Sequence, residues 1–62
     1  MIVVYKQVGS GFRIERCDKI VLGSDIITLR KRNDLRANGW DSISLETKVL
    51  EQFEAIGEKE NE

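Results

Sequence analysis

A chain of 62 residues makes one small domain, and a domain of this size buries only about 60% of the surface its unfolded form exposes, so its core needs a disulfide, a metal or a second copy to support it. One cysteine, Cys17, excludes an intrachain disulfide, and the lack of histidine removes the commonest zinc sites. The net charge of −1 hides a split: residues 1–36 hold eight basic and four acidic side chains, a balance of +4, and residues 37–62 hold two and seven, a balance of −5.

The first element, Ile2 to Val8, is rich in β-branched and aromatic residues that suit a pleated strand. Gly9-Ser10-Gly11 marks a hairpin turn. From Phe12 the pattern alternates, with Phe12 and Ile14 on one face and Arg13 and Glu15 on the other, which predicts a half-buried strand with Phe12 in the core. Asp18-Lys19 reads as a bulge or minor turn before Ile20-Val21-Leu22. Gly23-Ser24-Asp25 is a second turn, feeding the strand Ile26 to Arg32. There Ile27 and Leu29 point to the core, and Thr28, Arg30 and Arg32 share the opposite face. Asn33 to Gly39 is a polar loop ending in the turn dipeptide Asn38-Gly39. Trp40 follows, and Ser42-Ile43-Ser44-Leu45 alternates as a short fourth strand.

After Leu45 the period changes. Val49, Leu50, Phe53 and Ile56 recur at helical spacing, which predicts an amphipathic helix with Thr47 as its N-cap and Gly57 as its stop. Residues 58–62 read as a charged, frayed tail. The expected fold is therefore α+β: an antiparallel sheet of three to four strands and one C-terminal helix, forming a single domain over residues 1–57. A homodimer is the remaining way to supplement the core, with Val49, Leu50, Phe53 and Ile56 at its interface.

Catalysis is not expected. A nucleophile needs a base, and histidine, the usual one, is absent. Glu15, Asp18 and Asp25 lie among turns and strands without evident convergence, and Gly9-Ser10-Gly11 has too few glycines for a phosphate loop. No cofactor or metal is implied. Cys17 reads as a small core residue beside its alternative as a reactive thiol. No apolar run reaches the roughly 18 residues of a membrane span, and Met1 to Lys6 does not read as a secretory signal, so a reducing cytoplasmic setting is expected.

The positive signal is basic. On a strand, Arg30 and Arg32 project from one face about 7 Å apart, near the spacing of successive phosphates. Lys31, Arg36 and Arg13 extend the basic set, and Trp40 and Tyr5 are candidate stacking surfaces for bases. For Trp40 the competing reading is a hydrophobic plug at the sheet edge. The run Ile26–Arg32, then a polar loop, then Ser42-Ile43-Ser44-Leu45 leading directly into an amphipathic helix, resembles the core of the positive-cofactor-four type of transcriptional coactivator over residues 12–57. The likeness implies a homodimer paired through its C-terminal helices whose sheets bind single-stranded DNA, with Arg30, Arg32 and Arg13 as contacts. This chain departs from that pattern in having Lys31-Arg32-Asn33 where the family carries aromatics.

The expected function is a single-stranded-DNA-binding regulatory protein. Two others compete with it: a protein-interaction or inhibitor module, such as a phage-encoded regulator, docking on a host protein through its exposed sheet face or edge, and a three-stranded sheet entering the major groove of a duplex.

Overall fold

The computed structural model describes residues 1–57; the expected tail over 58–62 lies outside them. Residues 1–57 form six strands: β1 (Ile2–Gln7), β2 (Phe12–Arg16), β3 (Lys19–Leu22), β4 (Ile26–Arg32), β5 (Trp40–Glu46) and β6 (Leu50–Ile56), with a 3-10 turn at Thr47–Val49. They make two three-stranded antiparallel sheets, ordered β2-β1-β6 and β3-β4-β5. The fold is all-β, not α+β.

Two corners join the sheets. Cys17 donates its backbone N–H to the Met1 carbonyl (2.9 Å) on the first sheet, and the next residue, Asp18, donates to the Arg30 carbonyl (2.8 Å) on the second. β2 and β3 are thus one extended run that changes sheets at a bend. The second corner is the 3-10 turn between β5 and β6. Here the Thr47 N–H donates to the Asp25 carbonyl (2.9 Å), and its hydroxyl lies 3.1 Å from the same oxygen. Thr47 therefore pins the β3–β4 turn and caps no helix.

Between the sheets lie Val3 and Tyr5 of β1, Cys17 of the bend, Ile27 and Leu29 of β4 and Leu45 of β5, with Ile20, Leu50 and Phe53 packed around them. Ile27 and Leu29 sit where alternation along β4 places them. Phe12 and Ile14 do not: they are 61% and 70% exposed. Cys17 is the reason. It is the buried residue of this run, and side chains alternate along a strand, so Glu15 and Arg13 share its side while Ile14 and Phe12 face outward.

The predicted C-terminal helix is strand β6. It pairs with β1, satisfying backbone groups on the β1 edge that β2 leaves open. The spacing that resembled a helix has another cause. Phe53 pairs with Tyr5, and Leu50 pairs with Gln7, with a register shift between Lys6 and Gln7 that leaves Glu51 without a partner. That bulge adds one residue to the alternation, so Leu50 and Phe53, three apart, both reach the core side. Ile56 is exposed, and Val49 belongs to the 3-10 turn. The helix-paired dimer interface expected of these four residues falls with the helix.

Two glycines serve geometry at the turns. Gly39 closes the β4–β5 loop with φ of +84°, a conformation that side chains with a Cβ avoid. Gly23 has ordinary φ but no room: a Cβ there would stand 2.8 Å from the Ile26 backbone oxygen, the atom that accepts the Gly23 N–H at 2.9 Å. Gly23→Ala should therefore lower stability by about 1–3 kcal/mol, as other overpacked sites do, read as a fall in the urea midpoint with the slope unchanged.

Candidate nucleic-acid interface

The second sheet has one face on the core and one outward. Because Ile27 and Leu29 point inward, Thr28, Arg30 and Arg32 of β4 point out. The register brings partners to the same face: Lys19 lies opposite Arg30 from β3, while Ser42 lies opposite Arg30 and Trp40 opposite Arg32 from β5. The guanidinium carbons of Arg30 and Arg32 stand 4.9 and 5.3 Å from the centroid of the Trp40 ring. Such contacts hold a cation over the negative face of the indole. An open depression bordered by Ala37, Asn38, Trp40, Ser42 and the Arg36–Asp41 ion pair adjoins the ring.

Among the described residues the salt bridges are Lys6–Glu51 and Arg36–Asp41, and neither touches Arg30, Arg32 or Lys19. The Asp18 carboxylate, just before β3, accepts the backbone N–H of Arg32 at 2.8 Å and so holds the main chain at this end. No family model, curated protein or solved structure matches this chain.

Of the predicted site residues, the structure unites Arg30, Arg32 and Trp40 and separates the rest. Tyr5 is 4% exposed, packed between the sheets opposite Phe53, and cannot stack on a base. Lys31 is exposed but alternates to the other side of β4, opposite Asp41. Arg13 belongs to the first sheet, where it pairs with Tyr5 and does not continue the β4 row. Lys19 is the residue that sequence reading passed over. Assigning Asp18-Lys19 to a turn hid the alternation of Lys19 and Val21 against Ile20 and Leu22 that sets Lys19 beside Arg30.

Arg36 is held elsewhere. Its Nε donates to Asp41 Oδ1 at 2.6 Å, and Asn33 Nδ2 donates to the other oxygen at 2.9 Å. These bonds, that from Asn33 foremost, hold the Asp41 carboxyl below the usual aspartate range. A carboxyl depressed on folding contributes stability that is present above its unfolded value, near 3.8, and is lost as pH falls through the folded one. Asn33→Ala should move the Asp41 midpoint back up towards that ordinary value in an NMR titration. An unchanged midpoint would mean that the amide contact is not the cause. The loop itself is ordered by Asn33 and Asn38, whose side-chain oxygens accept the N–H groups of Leu35 and Trp40 at 3.0 Å each.

Cys17 is buried, and burial pushes its thiol up from the ordinary cysteine value, the opposite of an activated nucleophile. Among the described residues no helix is long and apolar enough to cross a membrane, and no three His, Cys, Asp or Glu side chains converge as a metal would need.

Proposed function

We propose that this protein binds single-stranded nucleic acid on the outer face of the sheet β3-β4-β5. Arg30, Arg32 and Lys19 hold phosphates, and the Trp40 ring, with the guanidinium planes beside it, offers a stacking surface for bases. One observation carries the reading: two guanidinium groups lie within 4.9 and 5.3 Å of an indole on an uncovered sheet face, without a carboxylate partner among the described residues. A cation row with an aromatic inside it matches both parts of a single strand, its charged backbone and its flat bases. A reducing cytoplasmic setting fits Cys17, which has no second cysteine to pair with.

Trp40 is the chain's one tryptophan, so its fluorescence reports on this face alone. Adding a single-stranded oligonucleotide at low salt should quench it, and the apparent affinity should fall linearly on a logarithmic scale as salt rises, because bound phosphates release their counterions. Competition by duplex DNA separates this reading from insertion of the sheet in a major groove. A flat titration at low salt removes both.

A docking role keeps one specific observation in its favour. The outer face of the first sheet exposes Phe12 and Ile14 beside Val4 of β1, an apolar strip that a strand-binding protein does not need. It lies on the other sheet, away from Trp40.

A further inference from the structure

β2 has an open edge. In the sheet order β2-β1-β6 it is bonded on one side only among the described residues. The direction of its backbone groups follows from a single pair. The Cys17 N–H donates to the Met1 carbonyl at 2.9 Å, and the Met1 ammonium donates to the Cys17 carbonyl at 2.7 Å, so both bonds are exchanged. Bonded and non-bonded pairs alternate in an antiparallel ladder. Glu15 and Arg13 therefore turn their backbone groups to β1, and Arg16, Ile14 and Phe12 turn theirs to the open side.

Exposed edges of this kind are templates for another strand, and charges usually guard them. The charges here do the reverse. Set a second copy of β2 antiparallel to the first, with a two-fold axis at Ile14. Ile14 then faces Ile14, Arg13 faces Glu15 on one side of the sheet, and Phe12 faces Arg16 on the other. Each copy supplies one member of every pair, and each pair off the axis occurs twice, as a two-fold interface requires. The two Arg16 side chains end up about 14 Å apart along the strands, too far to oppose the pairing. Within their own chain, among the described residues, Arg13, Glu15 and Arg16 make no ion pair. The other edge strands lack this charge match: β6 about Phe53 would set Gln52 against Glu54, β5 about Ile43 would set Asp41 against Leu45, and β3 about Val21 would set Lys19 against Gly23.

We propose that the protein forms a two-fold dimer by pairing β2 with β2 of a second copy in the register centred on Ile14, giving one continuous sheet β6-β1-β2-β2-β1-β6. The reading is independent of nucleic-acid binding, since Arg30, Arg32 and Trp40 lie on the other sheet. Cross-strand Arg–Glu pairs, an apolar pair on the axis and the backbone bonds of three residues per strand hold it together. Five residues a side is a small contact, so the dimer belongs to the weak, concentration-dependent class.

Sedimentation equilibrium of the full chain over a concentration series tests it. The wild type should move from one chain mass to two. Arg13→Glu sets like charges against Glu15, and Glu15→Arg sets like charges against Arg13, so each variant alone should stay monomeric, at least tenfold weaker in self-association. Mixed in equal amounts, the two should dimerise, because opposite charges face each other again. Arg13 is exposed and Glu15 half-buried at the sheet edge, on the side that Cys17 shares, and unchanged far-UV circular dichroism would show the fold kept. Wild-type chains that remain monomeric throughout, or variants that self-associate as the wild type does, overturn the proposal.

Discussion

Replacing Arg30 and Arg32 together with alanine should lower affinity for any single-stranded oligonucleotide about a hundredfold, close to 2.7 kcal/mol, with the fold intact. The two side chains project from an outward face and pack on Trp40 without entering the core, so their loss removes charge and a cation–π contact and opens no cavity. If each anchors one phosphate, the slope of log affinity against log salt should flatten by about 1.4, since a single strand yields about 0.7 per neutralised phosphate. Lys31→Ala is the control that distinguishes a face from a run of charge. It stands between them in sequence but on the other side of β4, and should change affinity by less than about twofold. Trp40→Ala should cost about 1–3 kcal/mol, the range for a base stacked on an aromatic ring, with little change in the salt slope because no charge is lost. Anisotropy of a labelled oligonucleotide measures all three variants. Lys31→Ala weakening binding as much as the double variant would show that the outward face is not what the strand recognises.

Leu29→Ala should be the most damaging substitution in the chain. Leu29 is 2% exposed and sits between the sheets with Val3, Tyr5 and Leu45, opposite Ile20 and Ile43 in the strand register. Truncating a buried leucine costs about 2–5 kcal/mol from lost transfer energy and the cavity left behind. A 62-residue domain has about 3–9 kcal/mol of stability in total. The loss is thus a large fraction of the whole, enough to leave a substantial unfolded population. Leu35→Ala, the same chemical change at a residue 94% exposed in the β4–β5 loop, should stay within about 0.5 kcal/mol. Urea melts of the two variants should show the contrast. A Leu29→Ala midpoint close to wild type would mean that the inter-sheet core is not where Leu29 packs.

Strand positions, turns and the parity of β4 were open to sequence reasoning because each is local. A glycine at a turn, or alternation of Ile27 and Leu29 against Arg30 and Arg32, needs no knowledge of what lies across the sheet. The pairing of Arg30 and Arg32 with Trp40 was half visible: the residues were named, but their meeting depends on the β4–β5 register. What failed was whatever rests on distant partners. Leu50 and Phe53 have a helix's spacing, and nothing nearby in sequence reveals a bulge at Glu51 that serves an edge of β1 more than forty residues away. Phe12 and Ile14 alternate as a core strand would, but Cys17, held by Met1 at the sheet-changing bend, sets the opposite phase. Tyr5 disappears between two sheets where a single sheet was expected, and Arg36 is taken up by Asp41 across a loop. Propensity and alternation act over a few residues, whereas register, bulges and the choice of buried face come from backbone bonds that must be satisfied across the whole chain, and those bonds buried Tyr5 and turned Phe12 outward.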